Sequence, residues 1–212
     1  MKLKIDSLYK VLLYPKAVFR LNLKSYNLLL PILIITIISI GLSYVNSIFF
    51  AAQSLDNNNE YIRPIILLFS VFISSVSPFA AIIVVSIINY IALLVMRSYA
   101  SFRKLFIVGI YSYIPLLISS LLNIVVSLFY GKPLGFTILS LNSLETDPKS
   151  LFSYFLNSFS LFGVWSLYIY TIGIITIFEN KSFSNKKIIV ITFINVLITI
   201  LNAIWNYLSR AT

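Results

Sequence analysis

"IIVITFINVLITILNAIWNYL", residues 188 to 208, runs for 21 residues without an Asp, Glu, Lys or Arg. A helix of about 20 apolar residues is long enough to cross the ~30 Å hydrocarbon core of a bilayer. Within the run, Thr192, Asn195, Thr199, Asn202 and Asn206 recur at spacings of three and four, which draws a single stripe along a helix. Lipid is a poor neighbour for such a stripe, so it is expected to turn toward other helices and hydrogen-bond there. The competing reading makes it the wall of a hydrophilic passage, bordered by Asn46, Asn123, Asn195 and Asn202.

Four further segments share the lack of charge: Leu28 to Phe50, Pro64 to Met96, Leu105 to Phe129 and Phe159 to Phe178. Each is long enough to span. The first carries Thr36, Ser39, Ser43 and Asn46 at helical spacing, the third Ser112, Ser119 and Asn123, and the fourth Gly163, Ser166, Tyr170 and Gly173. Small residues let helix backbones approach closely in a membrane. The Pro64–Met96 stretch would rise about 50 Å as one straight helix, so it is expected to kink or break near Ser77-Pro78, with one end extending past the core. The Ala51-Ala52 pair is a poor cleavage site because the apolar run before it is too long for a signal peptide.

Composition agrees. The chain is 59% apolar and 10% charged, against roughly 45–50% and about 25% in soluble domains. It has no cysteine and no histidine, which removes disulfides, thiolates, the commonest metal ligand and the usual general base. All six carboxylates (Asp6, Asp56, Glu60, Glu145, Asp147 and Glu179) fall outside the spans. No paired acids are therefore buried for catalysis or proton relay, and the Asp56/Glu60 and Glu145/Asp147 pairs belong to solvated loops. No catalytic residue, cofactor site or metal site is expected.

Orientation follows from the bases, because cytosolic loops carry the Lys/Arg excess. With the N-terminus in the cytosol, the inner segments hold twelve bases and two acids, while the outer ones hold four of each. The net charge of +10 thus lies on one face, which explains the basic pI without nucleic acid as a partner. The C-terminus is then extracytosolic, in the cell membrane if the source is prokaryotic. Asn180-Lys181-Ser182 is a glycosylation sequon by pattern but falls on the inner side, where it should stay unmodified.

The inner segment before the first span contains "LYPKAVFRLNLKSY", residues 13 to 26. Lys16, Arg20 and Lys24 share one flank of a helix that Pro15 can start, while Val18, Phe19, Leu21 and Leu23 cover most of the rest. That pattern predicts a helix lying in the inner interface with its bases on anionic headgroups, at about 1 kcal/mol each. The bland alternative is a simple cytosolic extension of the first span. In the longest outer connection, Tyr130 to Ser158, Asp147-Pro148 resembles a helix cap. Leu151, Phe152, Phe155 and Phe159 follow at helical spacing, predicting a short surface helix before the fourth span.

Several of these residues also resemble a family. Pro15 and Phe19 in "YPKAVF" are similar to the proline-and-aromatic entry of the Ypt-interacting protein (Yip) family in its prokaryotic form. "SYASFRKLFIVGIYSYIPLL" resembles its linker and third span through Ser101, Phe102, Leu105, Gly109, Tyr111 and Pro115. "FSLFGVWSLYIYTIGIITIFENKSFSNKK" resembles its fourth span and exit through Trp165, Gly173, Ser184 and Lys187. The resemblance runs nearly end to end and implies one five-span domain with a cytosolic N-terminus. For eukaryotic relatives it implies vesicle traffic, prenylated small GTPases and association with related membrane proteins; of their acidic Asp-Leu-Tyr-Gly-Pro element only Tyr14-Pro15 stands here.

The expectation is an all-α polytopic bundle of five transmembrane helices, spanning about 28–50, 64–96, 105–129, 159–178 and 188–208, with residues 1–27 as a cytosolic, basic interfacial segment. Its expected role is non-enzymatic: organising membrane or partner proteins, through anionic headgroups and through contact with other membrane proteins or a second copy. A small permease or lipid-handling protein is the alternative.

Overall fold

The computed structural model describes residues 6–25, 28–54, 63–131, 139–140, 150–178 and 184–211. Among these the chain is helical: α1 (Asp6–Leu13), α2 (Pro15–Ser25), α3 (Leu29–Ser54), α4 (Arg63–Val95), α5 (Phe102–Ser112), α6 (Ile114–Tyr130), α7 (Leu151–Ser158), α8 (Leu161–Ile177) and α9 (Asn185–Ala211). A lone antiparallel bridge joins Ser140 to Ser160. Asp56, Glu60, Glu145, Asp147-Pro148, Glu179 and the Asn180-Lys181-Ser182 sequon lie outside the described residues.

Three stretches are long and apolar enough to cross a membrane: Leu68–Val95, Phe102–Tyr130 and Asn185–Ser209. Two shorter apolar helices, Leu29–Val45 and Leu161–Ile177, stand with them. Large side chains on α4 and α9, such as Phe69, Phe72, Phe193 and Trp205, are exposed. Surface of that size and polarity suits lipid better than water.

Pro78 does not break α4. The helix continues from Arg63 to Val95 with the proline inside it, since proline deletes only the bond to the carbonyl four residues earlier and the neighbouring bonds can persist. The break falls instead in the third apolar stretch, expected as one helix. There α5 ends at Ser112 and α6 starts at Ile114, with Tyr113 at φ −74° and ψ −17° between them. Pro115 has no N–H for the Tyr111 carbonyl, whereas Tyr113 still donates to Gly109 (3.1 Å) and Leu117 to Tyr113 (3.2 Å). The ladder is therefore interrupted without unravelling, and the Ser112 carbonyl at the break accepts from the Ser166 hydroxyl of α8 at 2.6 Å.

α4 stops in a Schellman motif. Arg97 takes φ +52°, and Arg97 and Ser98 donate to the carbonyls of Leu94 (2.9 Å) and Leu93 (2.8 Å). Lys187, in the first turn of α9, reaches Ser98 Oγ at 2.6 Å, so this end of α4 is tied to the start of α9. At the other end, α7 packs on α9 through an edge contact of Tyr154 on Tyr207, centroids 5.8 Å apart. Its cap is Ser150, whose hydroxyl accepts from Ser153 N at 3.0 Å.

The core has two adjoining parts. Ile35 of α3, Ile82 of α4, Ile110 of α5 and Leu117 of α6 form one. The other gathers side chains of α5 and α8, among them Val108, Tyr111, Ile169 and Ile174, around Val11, Val18 and Phe19 of the N-terminal helices.

Candidate membrane-contact site

Pro15 occupies the first position of α2, where its missing N–H costs nothing and its fixed φ suits the helix. One face of α2 then enters the protein. Pro15, Val18 and Phe19 are buried, while Lys16, Ala17, Arg20 and Leu21 are exposed. Val18 and Phe19 pack into the bundle, and Leu21 remains outside. A helical wheel identifies an apolar face but not what covers it. Of Lys24 only the backbone, in α2, is described, and Leu23 is in the same position.

The marked residues of the sequence meet where α2 docks. The Phe19 ring stands edge-on to Tyr111, centroids 6.1 Å apart and planes at 86°, an arrangement that favours aromatic quadrupoles. Gly173 makes room for it. A Cβ there would lie 2.5 and 2.8 Å from the Val108 methyls and 3.0 Å from Phe19 Cε2. Further along α8, Trp165 Nε1 donates to the Leu12 carbonyl at 3.2 Å, one of the carbonyls at the end of α1 that lack helical donors. Pro115 is also buried, just after the interruption that follows Tyr111. Pro15, Phe19, Tyr111, Trp165 and Gly173, spread over the chain, thus serve one packing contact.

The polar stripe of α9 divides. Thr192 and Thr199 each return their hydroxyl to a carbonyl of their own helix, Ile188 and Asn195 respectively. Asn202 and Asn206 are exposed. Asn195 alone among the five forms a described side-chain bond to another helix, and its partner, Asn89 of α4, is a residue that the sequence pattern does not single out. The two carboxamides exchange bonds of 3.0 and 3.1 Å, and each gives its second N–H to the carbonyl four residues back, Val85 at 2.9 Å and Ile191 at 2.8 Å. All four donors are used in a buried site. Asn89 is conspicuous as the one carboxamide in the Pro64–Met96 run, although nothing in its spacing indicates a partner.

Among the described residues, two of the proposed passage residues have different surroundings. Asn195 is closed on Asn89 and Asn202 faces outward, while the side chain of Asn46 lies outside the described residues. In the first-span stripe Ser43 Oγ donates to the Ser70 carbonyl of α4 at 3.0 Å, and Thr36 bonds back to Ile32.

Comparison with curated proteins and with solved structures finds no match. A family model does match: the Yip1 domain covers residues 9–205, nearly the whole chain, including the N-terminal helices and the α5–α8 contact they dock on, and the chain belongs to that family.

Proposed function

We propose that this integral membrane protein crosses the bilayer five times, with a cytosolic N-terminus, and has a non-enzymatic role in organising membrane or partner proteins from the cytosolic leaflet. Lys16, Arg20 and Lys24 of α2 hold that leaflet through its anionic headgroups. The observation that carries this reading is the two-sidedness of α2: Val18 and Phe19 fix it to the bundle, and Lys16 and Arg20 are exposed on the other side. A helix fastened in this way presents its charges in a constant position relative to the spans. Each base near an anionic surface contributes about 1 kcal/mol, so three together would favour anionic over neutral lipid by roughly a hundredfold.

Reconstitution into vesicles with and without phosphatidylserine tests it. Wild type should enrich phosphatidylserine in its lipid annulus, and the K16Q/R20Q/K24Q variant should lose most of that enrichment. Equal annuli for the two proteins would remove the anchoring role. The family supports a role among membrane proteins. The all-amide pairing of Asn195, with no donor left over, favours a structural use of the polar residues over transport.

A further inference from the structure

Two contacts fix where the N-terminal helices lie along α8. Leu12 is bonded to Trp165, and the Phe19 ring lies against Gly173. Trp165 and Gly173 are eight residues apart, about 12 Å of helix rise, and Leu12 and Phe19 are seven apart, about 10 Å. The similar separations mean that α2 runs beside α8, on which it packs, in the same direction, and does not cross its end. α8 finishes at Ile177, with Phe178 as its buried cap. Trp165 lies thirteen residues before Phe178, roughly 20 Å of rise, in a hydrocarbon core of about 30 Å.

We infer that α2 is inserted into the bilayer: its start, at Leu12 to Pro15, stands roughly half-way through the hydrocarbon, and its outer face is covered by acyl chains of the leaflet that holds the C-terminal end of α8. The inference rests on α8 being a span, as in the five-span reading above. Exposure of the segment fits this occupant. Tyr9, Leu13, Tyr14 and Leu21 are all more than half exposed, so large apolar side chains stand on the outer face between the exposed bases Lys10, Lys16 and Arg20. The buried side of the junction is satisfied by protein, since Val11 is fully buried and Trp165 takes the Leu12 carbonyl. The bases then sit at different depths. Along α2, Lys16 lies deeper than Arg20, and their long stems allow the charges to snorkel toward the headgroups. A helix placed in one leaflet displaces lipid from that leaflet alone, which gives α2 a mechanical effect on the membrane beyond anchoring.

The chain has no cysteine, so single spin labels can be placed without background. Leu13→Cys and Leu21→Cys alter exposed positions and should leave the fold intact. In neutral phosphatidylcholine bilayers, collision with oxygen and with a water-soluble nickel complex should place the label at 13 about 10 Å deeper than that at 21. Equal depths, whether both deep or both at the headgroups, would overturn the insertion. Because neutral lipid takes no part in the charge effect, this result is independent of the phosphatidylserine experiment: a flat helix could still gather anionic lipid, and an inserted one could fail to.

Discussion

Gly173 shows how much can depend on one absent methyl group. A Cβ at that position would meet both methyls of Val108 at 2.5 and 2.8 Å and the Phe19 ring at 3.0 Å. Val108 is β-branched and stiff in a helix, and Phe19 is fully buried, so neither can step aside without displacing α5 or α2. Gly173→Ala is therefore expected to cost about 1–3 kcal/mol in packing, against a gain in helix propensity of up to ~1 kcal/mol. The check is the thermal unfolding midpoint in detergent, which should fall. Proteolysis within residues 6–25 should speed up as well, because α2 loses its seat; an unchanged midpoint would mean that the contact relaxes freely. The carboxamide pair makes a second residue-level case. Asn89→Leu leaves Asn195 with an orphaned buried amide, a cost of about 1–3 kcal/mol, and Asn195→Leu does the reverse. Changing both removes the orphan, so the double variant should be more stable than the sum of the singles requires, with a coupling of about 0.5–3 kcal/mol in a double-mutant cycle. Additive losses would show that the two amides do not support one another.

Helices differ in how much of their arrangement is written locally. The apolar runs behind α3, α4 and α9 are legible because twenty or more residues without a charge match the thickness of a bilayer and little else in a folded chain. The start of α2 is legible at Pro15 for the reason that proline suits a first helical position. Where two physical tendencies oppose each other, sequence alone does not settle the outcome. Pro78 and Pro115 both sit in long apolar runs, yet the helix continues through the first and is interrupted at Tyr113, just before the second; at the interruption Ser166 supplies a donor to the Ser112 carbonyl from a helix more than fifty residues away. The docking of α1 and α2 is hidden for the same reason. Their amphipathic pattern fits a lipid surface and a protein groove equally well, and the groove exists only once Gly173, Val108 and Tyr111 have been brought together by α5 and α8. The α9 stripe shows the limit of periodicity: threonine can satisfy its hydroxyl within its own helix, so of five residues in register Asn195 is the one with a described bond to another helix.

At the scale of the whole molecule, charge and connectivity constrain each other. The short connection between α4 and α5 carries Arg97, the first turn of α5 carries Arg103 and Lys104, and the start of α9 carries Lys186 and Lys187. The contact of Lys187 with Ser98 brings these two regions together at one end of the bundle. The contact of Tyr154 with Tyr207 closes the other end, where bases and acids nearly balance in the sequence. Basic segments resist translocation, so the Ser98–Lys187 end should face the cytosol, and a helix as long as α9 should carry Ser209 to the opposite side. In the cysteine-free chain, Ser101→Cys and Ser184→Cys should react with a membrane-impermeant maleimide only in inside-out vesicles, and Ser209→Cys only in right-side-out ones. All three are exposed positions, so failure to label reports sidedness and not burial. Labelling of Ser209→Cys from the same side as Ser101→Cys would mean that α9 does not complete its crossing, and the five-span arrangement would have to be replaced by one in which the polar outer half of that helix, Asn202 and Asn206, lies at a surface.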